Sequence, residues 1–240
     1  MTVDRSFEIR TPTFPFKIVA LPVRTPLIRG GSDLPPLIAG CVRGIAGPGD
    51  VVCVSETAVA ISQGRAIPAE AIRPSRLARV LAERAGPYAT VNQPESMQLV
   101  IDNAGAWRVL GATLLAAAGR LAGRRGDFYR LLGPAVAEID GYTGTLPPFE
   151  RHIVLGPHDP EEFASRIASA CAVHAAIVDA NDLQKVEILG ASPGVRREAV
   201  RACLKENPHG NADQQTPVVI LKYRPVEGSP SVSPLLEAER

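Results

Sequence analysis

Two aspartates close apolar segments: Asp140 ends Ala135-Val-Ala-Glu-Ile-Asp140, and Asp179 ends His174-Ala-Ala-Ile-Val-Asp179. A carboxylate at the carboxyl end of a buried strand projects from the rim of a sheet, where ligands gather. Two such carboxylates can share a hard cation such as Mg²⁺ or Mn²⁺, which prefers carboxylate and water oxygens. That ion would neutralise phosphates during phosphoryl transfer. Strand-end aspartates also form turns and caps, and Asp179-Ala-Asn-Asp182 is itself a turn sequence. Both readings stay open on the residues alone. The polar stretch Asn207–Pro217 is the second candidate. It exceeds the usual connection of about 4–6 residues. Its Gly210, Asn211, Asp213 and Gln214 could cradle phosphates or complete a metal shell, or the stretch is a solvated loop. The histidines, at 152, 158, 174 and 209, are scattered, and His209 in the polar stretch is the best placed of them for a functional role.

Other chemistries find no pattern. GxxxxGK[ST], GxSxG, HExxH and GxGxxG are absent. The glycines in Arg43–Gly49 follow a predicted helix and precede a predicted strand, so they read as a turn. Cys41, Cys53, Cys171 and Cys203 form no CxxC pair and sit among apolar neighbours, as small buried hydrophobes do. The net charge of +1 argues against an electrostatic grip on nucleic acid, and 5% aromatic content argues against stacking platforms.

The elements that must position these residues follow from periodicity and punctuation. Strands are predicted at 17–23, 50–55, 153–155, 174–179, 186–189 and 217–222, with 57–61 as a possible further strand. Helices are predicted from Asp33 to about Val42, over 69–85 with a break at Pro74, over 94–101, 108–123, 160–172 and 193–206. Arg124–Arg130 reads as a basic loop. The residues after Arg224 are rich in proline, serine and glutamate, which predicts a mobile tail over 224–240. Mixed order without βαβ regularity predicts an α+β fold with mixed sheets. No run reaches the roughly 20 apolar residues of a membrane span, and the N-terminus has no signal-like apolar run, which predicts a cytoplasmic protein. The greasiest stretch, Val109–Gly119, suits core or dimer packing. A membrane-surface helix is the alternative there, since arginines follow it.

Several of these pieces, in order, resemble the coenzyme F420-0:L-glutamate ligase (gamma-glutamyl ligase) family. Pro26-Leu27-Ile28 followed by Gly31-Ser32-Asp33-Leu34 is similar to its PLI-x-x-G-D-D-L. Gly49-Asp50-Val51-Val52 and Ser62-Gln63-Gly64-Arg65 are similar to GDVVVV and to S-K-x-E-G-R. Ile139-Asp140, Ala176–Asp179, the loop 210–216 and the strand from Pro217 follow. The resemblance covers about 18–65 and 153–222, and leaves 92–130 as a divergent helical segment. It implies two intertwined subdomains within 1–223, an intertwined homodimer, and an amide ligase. GTP would phosphorylate a carboxylate of an acidic small molecule, and the amine of glutamate would displace the phosphate. It implies Mg²⁺ or Mn²⁺ on Asp140 and Asp179. It implies nucleotide contacts from Thr25, Pro26, Leu27, Ile28, Glu56 and Thr57, with the 210–217 loop on the phosphates. The family lysine falls at Ile61 here, and Ala180 follows Asp179 where the family has a hydroxyl. These departures suit a second reading, a repurposed relative that binds a small molecule or a partner without catalysis.

Overall fold

A computed structural model describes residues 7–9, 17–85, 90–124, 126–133, 136, 139, 141, 148–181, 184–210, 215–224 and 233–237. The chain divides into two compact units, residues 1–64 with 157–240, and residues 65–156. The mixture of helices with mixed sheets is the α+β class that the sequence predicts.

The first unit is built on a six-stranded sheet. Its strands are β1 (Phe7–Ile9), β2 (Lys17–Val23), β3 (Val51–Ser55), β6 (His174–Ala180), β7 (Val186–Ala191) and β8 (Val218–Arg224), in the order β1-β2-β8-β3-β6-β7. Among the described strands only β3 and β6 pair in parallel. The central strands read as unbroken apolar runs because both faces are covered. Ile18, Ala20, Val51, Cys53, Ala176, Val178, Val219 and Leu221 pack on one face, against Ala199, Val200 and Cys203 of α8 (Arg197–Cys203). On β6 and β7 lies α7 (Pro160–Cys171), with α1 (Leu34–Val42) against it, and α2 (Glu56–Ser62) packs on β3 and β6. Gly190 is required by this packing: a Cβ there would meet the backbone of Pro160 and lie 2.6 Å from the amide of Glu161.

The second unit contains a two-stranded ribbon, β4 (Ala66–Pro68) with β5 (His152–Val154), and the helices α3 (Arg76–Arg84), α4 (Pro94–Ala104), α5 (Ala106–Leu121) and α6 (Asp127–Leu132). Leu81, Met97, Val100, Val109, Ala112, Leu132, Ile139 and Ile153 form its core. Gly105 turns the chain from α4 into α5 at φ +86°, a conformation closed to side-chain-bearing residues at little cost only for glycine.

Four expectations are corrected. Residues 57–61 are helix, not strand, because β3 is already flanked by β8 and β6 and the apolar run turns off the sheet as buried α2. The 69–85 stretch is not one helix: the break expected at Pro74 marks the true start, with only a 3-10 turn at Ala69–Ala71 before it and α3 opening at Arg76, where Ser75 Oγ accepts from the Ala78 amide at 3.1 Å. The basic segment expected as loop contains α6, whose buried Asp127 pairs with Arg124 at 3.2 Å and with Arg130. Residues 233–237, expected within a mobile tail, are docked. Leu235 is fully buried, its carbonyl accepts from Arg196 at 2.8 Å, and Leu236 bridges Val195. One apolar anchor outweighs the polar composition around it.

Candidate functional site

One end of the six-stranded sheet gathers most of the described candidates. The register places Val23, Val218 and Val54 in one row across β2, β8 and β3, and pairs Ser55 of β3 with Val178 of β6. The next residues therefore emerge at the same rim: Thr25 after β2, Thr216 before β8, Glu56 after β3, and Asp179 in β6. This is the carboxyl end of the one parallel pair, the place where open sheets containing parallel strands offer their strand ends to ligands.

Backbone and side-chain hydrogen bonds tie the rim together. The Ser55 amide donates to Pro217 at 2.8 Å, and the Thr25 amide donates to Gln215 at 3.3 Å. Gln215 Nε2 returns a bond to the Thr25 carbonyl at 3.1 Å. Thr216 Oγ1 donates to the His209 carbonyl at 2.7 Å, and His209 Nδ1 donates to the Thr216 carbonyl at 3.4 Å. Gly210 donates to the Asn207 carbonyl at 3.0 Å. Asn207, His209 and Thr216 are buried, so this part of the long polar connection is packed rather than solvated. His209 is a clamp, not an exposed base: burial pulls its imidazole down to about 4, against the bond to Thr216, so it is neutral at pH 7. Two polar atoms here, Thr25 Oγ1 and His209 Nε2, are buried with no hydrogen-bond partner among the described residues. Sequence reading held Gln215 only as part of the 210–217 loop, and missed this clamp. The signal available was Thr216-Pro217, a polar residue locked in front of the last strand.

The loop from Thr25 folds back toward α2, with the Gly31 amide donating to Ser62 at 2.9 Å. Thr25 and Ile28 are buried, while Pro26 and Leu27 are exposed. Glu56 opens α2, and Glu56 and Thr57 are half-buried. Ile61 is buried near the other end of α2, so no charge is presented from that position.

Asp179 is half-buried and stands opposite Glu187 in β7. Burial raises its pKa, Lys185 opposes the rise, and Glu187 adds to it. The oxygen donors are right in kind for Mg²⁺ or Mn²⁺. Among the described residues, however, no group of three His, Cys, Asp or Glu comes together that could hold a metal ion. Asp140, Asn211, Asp213 and Gln214 lie outside the described residues, as does Asp182. Asn181 is a turn former, as its turn-like context suggested: its Oδ1 accepts from Lys185 at 3.2 Å, and its carbonyl from Gln184 at 3.1 Å.

Other places are consumed by structure. A shallow concavity at the opposite end of the sheet, beside His174 and Ser192, has its polar groups already engaged. His174 Nδ1 bonds the Pro193 carbonyl at 3.0 Å and Ser192 Oγ accepts from Ala175 at 3.0 Å. Burial pushes the Cys171 and Cys203 thiols up to about 11 and about 12, which disfavours a reactive thiolate.

Comparison with known proteins agrees with the motif order. No curated protein compared with the chain matches it. The family model described as F420-0:Gamma-glutamyl ligase matches residues 22–178. That span includes Thr25–Thr57, runs through the 92–130 segment that the motifs left out, and ends one residue before Asp179. With well over half of its length matched, the chain belongs to the F420-0:gamma-glutamyl ligase family.

Proposed function

We propose that the protein is an amide ligase that joins an amino acid, glutamate in the first instance, to the carboxylate of an acidic small molecule through an acyl phosphate. The nucleotide, GTP on the family reading, gives its terminal phosphoryl group to the carboxylate oxygen and leaves as the diphosphate. The amine then attacks the acyl carbon, the C–O bond to phosphate breaks, and phosphate and a proton are released. The observation that carries this reading is the convergence of Thr25, Glu56, Asp179, His209, Gln215 and Thr216 on one sheet rim. The reaction needs positioning and charge neutralisation more than a side-chain nucleophile. In this reading Thr25–Ile28, Glu56 and Thr57 line the nucleotide. The Gly210 segment, with Asn211, Asp213 and Gln214, holds the phosphates. Thr25 Oγ1 and His209 Nε2 are buried without a described partner at this rim, the first after β2 and the second in the connection before β8. Asp179 contributes to a divalent-cation site. A bound Mg²⁺ or Mn²⁺ would neutralise phosphate charge. The part of Asp140 rests on the sequence pattern and the resemblance, the intertwined homodimer on the resemblance, and a cytoplasmic setting on the sequence reading.

A second reading has its own support. Ile61 is buried where the family carries a lysine, and Ala180 has no hydroxyl to offer a metal or phosphate. These favour a repurposed relative that binds a ligand at the same rim without catalysis. Calorimetric titration with GTP and with ATP, in Mn²⁺ and in EDTA, separates the two. The ligase reading expects Mn²⁺-dependent binding that weakens at least about tenfold in Asp179→Asn. It also expects phosphate release only when glutamate and an acidic acceptor are both present. Absence of nucleotide binding in Mn²⁺ refutes it and leaves the repurposed reading.

A further inference from the structure

Helix α5 is apolar nearly all the way round, yet among the described residues only one side of it is buried. Val109, Ala112, Ala116 and Gly119 face the core of the second unit. On the other side, Trp107 is 85% exposed, Leu114 71%, Leu115 59% and Leu121 93%. At 100° per residue, Trp107, Leu110, Gly111, Leu114, Leu115, Ala117, Ala118 and Leu121 make a continuous exposed or half-exposed apolar arc of about 160°. Leu131, on the helix α6 that packs against α5, is exposed as well. An apolar surface of this size on a water-facing helix marks a docking face.

The charges around the arc select its occupant. Helix α5 itself carries two arginines, Arg108 and Arg120, and no acid, in a chain whose net charge is only +1, and the Arg124 that follows it is already paired with Asp127. Arg108 and Arg120 are exposed, flank the arc, and make no ion pair among the described residues. A second copy of this helix, paired about a two-fold axis, would bring arginines against arginines with no acid on the helix to answer them. An anionic lipid surface answers Arg108 and Arg120, and takes up the leucines and the tryptophan beneath the head groups while the arginine stems reach back to the phosphates. The helix is too short to cross: its 16 residues span about 24 Å against a hydrocarbon thickness of about 30 Å. No described helix is long and apolar enough to span a membrane. We infer that α5 is an in-plane membrane-docking helix that seats the protein on anionic bilayers through Trp107, Leu114 and Leu121, with Arg108 and Arg120 on the head groups. This does not depend on the ligase reading, and its test needs no substrate.

Trp107 is the sole tryptophan of the chain, so intrinsic fluorescence reports from the proposed contact itself. The full-length protein is titrated with vesicles of phosphatidylglycerol and phosphatidylcholine, and with phosphatidylcholine alone, with co-sedimentation in parallel. The expected result is a shift of the emission to shorter wavelength on the anionic vesicles only, weakened by salt. Partition should fall at least about tenfold in the double variant Leu114→Gln/Leu121→Gln, whose side chains are at the surface and whose circular dichroism should match wild type. Arg108→Gln/Arg120→Gln should lose the preference for anionic lipid. Failure to bind phosphatidylglycerol vesicles overturns the proposal, and so does equal binding to both lipids. A concentration-dependent Trp107 shift in buffer, with self-association that L114Q/L121Q abolishes, also overturns it by placing a second copy on the stripe.

Discussion

His209 should make the protein acid-labile in a defined window, and the size of the effect follows from its burial. The imidazole is neutral in the fold, with its ordinary value of 6.5 brought down to about 4. Unfolding returns it to water, where it takes up a proton below pH 6.5. The unfolded state thus binds more protons between about pH 6.5 and pH 4, and stability falls as the pH falls through that range. It is unaffected by this group above the range and levels off below it. At pH 4.5 the loss from this one residue is roughly 2.5 kcal/mol, against almost none at pH 7. His209→Asn keeps a donor near the Thr216 carbonyl and has no group that titrates there. Urea unfolding of both proteins at pH 7 and pH 4.5 isolates the term. Carboxylates titrate in both proteins and cancel, including Asp179, whose raised value acts in the opposite sense. The wild type should lose about 2 kcal/mol more than the variant on acidification. Parallel losses, within about 0.5 kcal/mol, would refute the claim that His209 is buried neutral and clamps the 207–216 connection.

Other perturbations test the frame that holds the sheet and its helices. Lys222 pairs with buried Asp50 at 2.9 Å, and Asp50 also accepts from the Gly47 and Tyr223 amides. Lys222→Met should cost about 3 kcal/mol by stranding a buried carboxylate, and Lys222→Met/Asp50→Asn should recover much of it, as read by chemical denaturation. Gly190→Ala forces a methyl into the backbone at the start of α7 and should cost at least about 2 kcal/mol in the same assay; a neutral result would mean that α7 sits further from β7. Leu235→Ala should cost about 2–5 kcal/mol, whereas a side chain on a free tail would cost nothing measurable.

The sequence by itself determined the α+β class, most of the strand positions and the family. The buried strands announce themselves as apolar runs such as Val51–Val54 and Ala175–Val178, and the turn motifs between them fall in a fixed order. It also carried the two aspartates as candidates and the arginine-flanked helix as something apolar. Tertiary structure decided what those apolar and polar runs face. The run at 57–61 is a helix because the neighbouring positions in the sheet are taken. Residues 233–237 are docked because Leu235 joins the core beside Val195 and Val200, a placement that no local pattern encodes. His209 became a buried clamp because its partner is seven residues away across a closed connection, and Thr25 meets Gln215 only because β2 and β8 are neighbours. Local pattern reports what a segment can bury, and only the assembled neighbours determine which side of it is buried. That is why α5 reads as a core helix along the chain and stands in the fold with Trp107, Leu114 and Leu121 turned to the outside.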